Sequence, residues 1–113
     1  MDRQQYGHSR NNWRSVQLHQ AIAQKLIVSP ELVLAKARKH VAVMKQNPRT
    51  ERYADGWTSL LDLPVPILAE RLTEFTEEMV ALRQCTPFAG VLTLQERWQV
   101  YRQLREGEQR DAR

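Results

Sequence analysis

Histidine and cysteine are the first candidates for chemistry in this sequence, because they supply many metal ligands and nucleophiles. No two of the three histidines have the i, i+4 or short Cys/His spacing that preorganises a metal site; they are His8, His19 and His40. His19 falls on the apolar side of a predicted helix, where a lone histidine is more often a hydrogen-bonded core residue than a ligand. Cys85 follows a predicted helix C-terminus, the end without the positive dipole that activates a thiol. We therefore expect no metal site and no cysteine nucleophile.

Carboxylates and glycines offer no better catalytic arrangement. Glu77 and Glu78 are adjacent, so on a helix they point in different directions and suit the helix N-terminus better than acid–base catalysis. The four glycines are isolated, so no glycine-rich loop could cradle a phosphate. The sequence therefore predicts a protein that is not an enzyme and that uses no cofactor.

Helical periodicity dominates the chain, and no segment alternates polar and apolar residues as a half-buried strand does. With 113 residues, 42% of them hydrophobic, the chain suits one domain with its own core. We expect an all-α fold: a single compact domain of five or six short helices with polar, frayed termini. The predicted organisation is a flexible basic arm at 1–12, an all-α domain at 13–106 and a polar tail at 107–113.

Local signals predict where the helices begin. Ser29 and Pro30 are typical of a helix start, with serine as the N-cap and proline in the first turn. Thr76 is a second predicted N-cap, and Thr93 with Glu96 forms a capping box. The predicted helices are 13–27 after a cap at Asn12, 30–46, a short one around 57–61, one from about 66, 77–84 and 94–105.

The tetrapeptide LIVS at residues 26–29 lies between the first two predicted helices, where a helix-turn-helix would have its turn. That turn usually contains glycine, and Ile27 is β-branched and resists a positive φ. A plain pair of packed helices is the preferred interpretation, and a degenerate helix-turn-helix over 13–46 is the alternative. The second helix also carries Leu32 and Val43 nearly opposite its main apolar face, which predicts neighbours on two sides.

Positive charge is concentrated in the first half of the chain. Residues 1–50 contain nine Lys or Arg and two acidic residues, whereas residues 51–113 contain eight Arg and eleven acidic residues. A basic half favours a polyanionic partner, since phosphate contacts need only clustered Lys and Arg. The alternative is an ordinary solvated face. The predicted nucleic-acid-binding residues are Arg10, Arg14, Lys36, Lys39 and His40.

Large apolar residues in the segment CTPFAGVLT, residues 85–93, suggest a protein-binding surface. Loops are normally exposed, so Phe88 and Val91 must either contact a partner or fold back onto the core. With Trp98 and Tyr101 on the next helix, they would form the kind of anchor cluster that dominates interfaces. The predicted partner-binding residues are therefore these four, with core packing of the loop as the alternative.

The segments ALRQCTPFAGVLTLQERW at 81–98 and RSVQLHQAIAQKL at 14–26 together resemble the layout of small helical bacterial antitoxins and their associated regulators. The resemblance spans most of the chain in outline and includes no diagnostic motif, so it assigns no role to a particular residue. It implies a partner-binding regulator whose partner is a toxin or another bacterial protein. The missing glycine in the turn departs from the regulator pattern and leaves operator binding unsupported.

We expect a cytoplasmic protein without a membrane partner. The segment MDRQQYGHSRNN lacks the apolar region of a signal peptide, no run approaches the ~18 apolar residues of a membrane helix, and a single cysteine fits a reducing compartment. The expected function is antitoxin-like or regulatory, by steric protein–protein binding, with DNA contact through the basic half. The alternatives are a DNA-binding transcriptional repressor and an accessory subunit of a bacterial or phage assembly. A homodimer is compatible with each.

Overall fold

The computed structural model describes the backbone of residues 10–111 and the side chains of residues 12–106, and within them it contains six α-helices and no strand. Residues 1–9 and 112–113, from the predicted arm and tail, lie outside the described residues. The radius of gyration, 14.4 Å, is close to the ~13 Å expected for a compact chain of this length. The predicted all-α fold class is confirmed. The helices are α1 (Arg10–Val28), α2 (Pro30–Lys45), α3 (Glu51–Leu61), α4 (Val65–Arg71), α5 (Glu77–Gln84) and α6 (Leu94–Asp111).

Side-chain caps begin α5 and α6 where the sequence predicted them. The Thr76 hydroxyl accepts a hydrogen bond from the backbone N–H three residues later, at 3.2 Å. Thr93 and Glu96 form the reciprocal capping box: Glu96 N donates to Thr93 Oγ1 at 3.1 Å, and Thr93 N donates to Glu96 Oε1 at 2.8 Å. α2 begins at Pro30 as predicted, although the Ser29 side chain makes no capping hydrogen bond.

α3 begins six residues earlier than predicted, because a side chain closes the turn before it. The Thr50 hydroxyl donates to Met44 O at 2.7 Å, and the helix starts at the next residue. Gly56 then lets α3 approach α5 closely, since a Cβ there would lie 3.0 Å from Leu82 Cδ2. The extra turn and the close approach bring Trp57 into the core.

α1 and α6 are also longer than predicted. α1 begins at Arg10, so Asn12 lies inside the helix, where it is buried and is not the cap. α6 continues six residues past its predicted end, to Asp111. An ion pair between Arg102 and Glu106, one turn apart with N and O at 3.6 Å, supports this extension.

α1 lies in the middle of the bundle, against α2, α4, α5 and α6, while α3 packs against α2 and α5. Trp57 is fully buried at the centre, and its ring meets Phe88 edge to face with centroids 5.5 Å apart. Trp57 Nε1–H also donates to the carbonyl oxygens of Leu82 and Cys85, at 3.1 and 2.9 Å, which fastens the end of α5. Around this centre pack Ile22, Leu26, Val33, Ala37, Val41, Met44, Leu61, Leu68, Leu72 and Met79.

A single residue, Ser29, connects α1 and α2. The helix-turn-helix motif needs a turn of about three or four residues. Because Ile27 and Val28 still belong to α1, no such turn forms. The plain pair of packed helices is therefore the correct interpretation of residues 26–29.

Only one face of α2 is packed. Leu32 and Val43, on the other face, are both more than half exposed. The prediction that α2 has neighbours on two sides is therefore wrong, because all of its fully buried residues lie on one side of the helix. That side carries Val33, Ala37, Val41 and Met44.

The segment of residues 85–93 folds back onto the core. Phe88 and Val91 are 0% and 2% exposed, so the alternative of core packing is correct and neither side chain offers surface to a partner. Lys25 of α1 holds the segment in place, since its ammonium donates to Val91 O and to Glu96 Oε1, each at 2.9 Å.

A chain of hydrogen bonds through His19 ties the same segment to α1. His19 Nδ1–H donates to Ser15 O at 2.7 Å; since a carbonyl oxygen only accepts, Nδ1 carries the proton. The Thr86 hydroxyl then donates to His19 Nε2 at 2.9 Å and accepts from Phe88 N at 3.1 Å. Burial lowers the pKa of His19 to about 4, and the positive charge of Arg83 acts in the same direction. His19 is thus a buried, neutral, fully hydrogen-bonded core residue, as predicted.

Replacing Phe88 tests its role in the core. We expect Phe88→Ala to lower the free energy of unfolding by about 3–5 kcal/mol, because it leaves a cavity beside Trp57. Urea denaturation followed by circular dichroism measures the change. The control is Val28→Ala at an 81% exposed position, which should change stability by less than about 0.5 kcal/mol. Equal effects of the two substitutions would contradict the placement of Phe88.

The depressed pKa of His19 predicts a loss of stability in acid. Above pH 6.5 the ring is neutral in both the folded and the unfolded chain; between pH 6.5 and 4 only the unfolded chain takes up the proton. The free energy of unfolding therefore falls as the pH decreases through this window, by up to about 3 kcal/mol, and His19 adds no further loss below it.

The His19→Gln variant serves as the reference, because the difference in stability between it and the natural chain isolates the contribution of His19. The free energy of unfolding of His19→Gln, measured by urea denaturation, is expected to be lower than that of the natural chain at pH 7. This difference should decrease by about 2 kcal/mol when the pH is lowered from 7 to 4.5. A deficit that is the same at both pH values would show that His19 does not titrate as expected.

Candidate functional site

The predicted nucleic-acid-binding residues are divided between two helices. Lys36, Lys39 and His40 are exposed on α2, whereas Arg14 is exposed on α1 and lines different concavities. Arg10 begins α1, but its side chain lies outside the described residues. The predicted set is therefore not brought together as one surface.

The α2 residues line a groove of about 300 Å³ between α2 and the 85–93 segment. We call it the α2 groove; its lining residues are Lys36, Lys39, His40, Val43, Pro87, Gly90 and Val91. Neither the two lysines nor the histidine forms an ion pair within the part of the chain that the structure describes. The groove is therefore a concave surface with uncompensated positive charge.

Three large side chains form an exposed stripe along α6: Leu94, Trp98 and Tyr101. Their i, i+4, i+7 spacing places them on one side of the helix. Leu94 is 84% exposed and Trp98 is 57% exposed, in contrast to the fully buried Trp57. We call these three residues the α6 stripe; it contains the two predicted partner-binding residues that do reach the surface.

Arginines surround the α6 stripe. The guanidinium of Arg102 lies over the Trp98 ring, 5.7 Å from its centroid, as a cation–π pair. Arg14 from α1 and Arg105 from α6 line a concavity of about 300 Å³ together with Trp98 and Tyr101. The stripe is thus an apolar and aromatic surface with a basic margin.

A third concavity, of about 320 Å³, lies between α1, the 85–93 segment and α6. We call it the arginine cleft. Its polar lining is Arg14, Ser15, His19, Arg83, Thr86, Arg97 and Tyr101, and its apolar lining is Leu18, Ile22, Phe88, Ala89 and Leu92. No acidic residue lines it. Burial lowers the pKa of the Arg83 guanidinium, and the neighbouring Glu74 carboxylate partly opposes the shift.

The residues first considered for catalysis are not assembled into a reactive site. Glu77 and Glu78 are both exposed in the first turn of α5, and Cys85 is half-buried. Both ring nitrogens of His19 are engaged in the bonds described above. Among residues 12–106, no group of three or more His, Cys, Asp or Glu could hold a metal ion.

None of the helices formed by residues 10–111 is long and apolar enough to cross a membrane.

Several residues of these surfaces were missed by the sequence analysis. Arg97, Arg102 and Arg105 all lie in the short stretch RWQVYRQLR at 97–105, which is locally basic although the half that contains it is acidic overall. Counting the net charge over a short stretch, instead of over half of the chain, would have revealed them. Arg83 gave no local signal, because its position in the cleft depends on the packing of α1, α5 and α6.

The candidate binding sites of the described residues are therefore the α6 stripe, the α2 groove and the arginine cleft. Compared with known proteins, the chain matches no protein-family model, no curated protein sequence and no solved structure.

Proposed function

We propose that the chain is a non-enzymatic, antitoxin-like or regulatory binding protein of the bacterial cytoplasm, which acts by steric protein–protein binding through the α6 stripe. The observation that supports this proposal is the exposure of Leu94, Trp98 and Tyr101 on one side of a single helix. Folding leaves these three large side chains in water, although similar residues elsewhere fill the core. An exposed apolar helix face is the arrangement that other proteins bind in a groove.

The residue types of the stripe suit the centre of an interface. Tryptophan, tyrosine and arginine are the residues most enriched among those that dominate binding energy. Arg102 already restrains the Trp98 ring, so less side-chain freedom is lost when a partner covers it. At 18 residues, α6 is about 27 Å long, which is enough to span a groove on another protein.

Charge indicates the chemistry of the partner. Arg14, Arg102 and Arg105 border the stripe, so an apolar groove edged by Asp and Glu would complement it. Two copies of α6 packed face to face would bring these arginines together, which disfavours a homodimer through this surface. Binding in this way would block whatever site the partner's groove provides.

Removing the stripe tests the proposal. We expect an immobilised chain to enrich one acidic protein from a lysate of its native host, and Trp98→Ala with Tyr101→Ala to abolish that enrichment. With the recovered protein, Trp98→Ala alone should weaken binding by at least about thirtyfold, the effect of a ~2 kcal/mol hot spot. The control is Leu32→Ala, at an exposed apolar position on α2. Equal enrichment by the double variant, or no enrichment by the natural chain, would overturn the assignment.

A DNA-binding repressor is the second candidate, and the α2 groove favours it. Lys36, Lys39 and His40 are exposed side by side and have no acidic partner in the described residues. Phosphate binding requires free cations, which the two lysines provide, but no helix-turn-helix. The exposed Val43 in the same groove is less suited to a phosphate backbone, which is why this candidate ranks second.

Salt dependence separates this candidate from a solvated basic face. If the groove binds DNA, fluorescence anisotropy should give tighter binding to a duplex from the upstream region than to a scrambled duplex. The combination of Lys36→Glu and Lys39→Glu should then reduce the slope of log affinity against log salt by about two. The matched control combines Lys45→Glu and Arg49→Glu, which change the net charge equally outside the groove. Identical slopes for the two double variants would rule out the groove as the DNA site.

A further inference from the structure

We propose that the arginine cleft binds a small organic anion, a carboxylate or phosphate monoester attached to an apolar body about the size of one ring. This site adjoins the protein-binding surface proposed above, and the two share Arg14 and Tyr101. The inference rests on three observations: a lining with three arginines and no carboxylate, unused hydrogen-bond donors on a buried arginine, and apolar surface beside them.

The cleft collects positive charge, and its lining contains no carboxylate. Arg14, Arg83 and Arg97 line it, and no acidic side chain does. Two carboxylates from segments that border the cleft form ion pairs with other residues. Glu96 pairs with Lys25 at 2.9 Å, and Glu74 pairs with Arg71 at 3.8 Å. An anion entering the cleft would therefore meet three guanidinium groups, of which only that of Arg83 has a neighbouring carboxylate, from Glu74 outside the lining.

Arg83 has most of its hydrogen-bonding capacity unused although it is only 2% exposed. Its Nη1 donates to Leu72 O at 3.2 Å and to Glu74 O at 2.6 Å, which fastens the turn after α4. Nε and Nη2 have no partner, so three of the five N–H donors are unpaired. Burying unpaired donors of a charged group is costly, and this cost is recovered when an oxyanion accepts from them.

Arg97 and Arg14 are placed to complete the anion site from its outer side. Arg97 is half-buried, and only its Nη2 is used, donating to Ala89 O at 2.6 Å. That bond orients the guanidinium and leaves its Nε and Nη1 without a partner in the described part of the chain. Arg14 is exposed at the opening. Several guanidinium groups around one cavity are typical of sites that hold carboxylate or phosphate.

The apolar part of the cleft lining determines what kind of group the anion must carry. Leu18, Ala89 and Leu92 contribute apolar surface to the lining, so an inorganic ion would leave part of the cleft unfilled. A volume of about 320 Å³ is at the small end for ligand sites, which limits the apolar body to roughly one ring. The cleft therefore suits an amphiphilic anion better than either a free inorganic anion or a neutral hydrocarbon.

Calorimetric titration of the full chain with phenyl phosphate and with benzoate tests this proposal. We expect at least one of the two to bind with saturation at a dissociation constant below about 1 mM. Inorganic phosphate and benzyl alcohol, which carry the anion and the ring separately, should each bind at least about tenfold more weakly. Methyl NMR shifts on binding should be confined to Leu18, Ile22 and Leu92.

Substitutions identify the cleft as the site. Arg97→Gln and, separately, Arg14→Gln should each weaken binding of the better probe by about tenfold, while circular dichroism shows that each variant is folded. Arg49→Gln, an exposed arginine outside the cleft, removes the same charge and should leave affinity unchanged. The proposal is overturned if neither probe saturates at concentrations on the order of 10 mM, or if Arg97→Gln and Arg49→Gln bind the better probe equally.

Discussion

The attachment of the 85–93 segment to α1 is the constraint on which the outer surfaces of the protein depend. His19 holds Thr86, and Lys25 holds both Val91 O and Glu96. Glu96 also caps α6, so one carboxylate joins the end of the segment, the start of α6 and the side of α1. The hydrogen bond from Lys25 lowers the pKa of Glu96 and favours the charged form that this junction needs. The direction in which α6 presents its stripe follows from these bonds.

The same attachment explains why the charge of the two halves of the chain is a poor guide to the charge of its surfaces. The second half carries a net negative charge, yet Arg97, Arg102 and Arg105 come from it. In the fold they line concavities together with Arg14 from the first half. Seven of the eleven acidic residues of the second half lie outside α6, in residues 51–78, and the other four belong to α6 itself. Partner chemistry therefore depends on which residues of α1 and α6 share a surface.

Features encoded by neighbouring residues were predictable from the sequence, and those that depend on distant contacts were not. Thr76 and Thr93 were identified as caps because a cap involves only the next three residues. The early start of α3 was missed because it requires the Thr50 hydroxyl to reach back to α2. The sequence did not decide whether Phe88 lies in the core or at an interface, because a short apolar segment has the same sequence pattern in both cases. Trp98 and Tyr101 were found by residue type, whereas Arg83 acquires its place only when three helices pack together.

The hydrogen bonds that hold the 85–93 segment join residues that are far apart in sequence, and this affects the order of folding. His19 and Thr86 are 67 residues apart, and Lys25 and Glu96 are 71 residues apart. Each bond therefore requires closure of a long chain segment, which is entropically costly until the helices between them have formed. During synthesis, α1 leaves the ribosome long before its partners in this junction exist. The two surfaces that α6 helps to form are consequently among the last parts of the molecule to be completed.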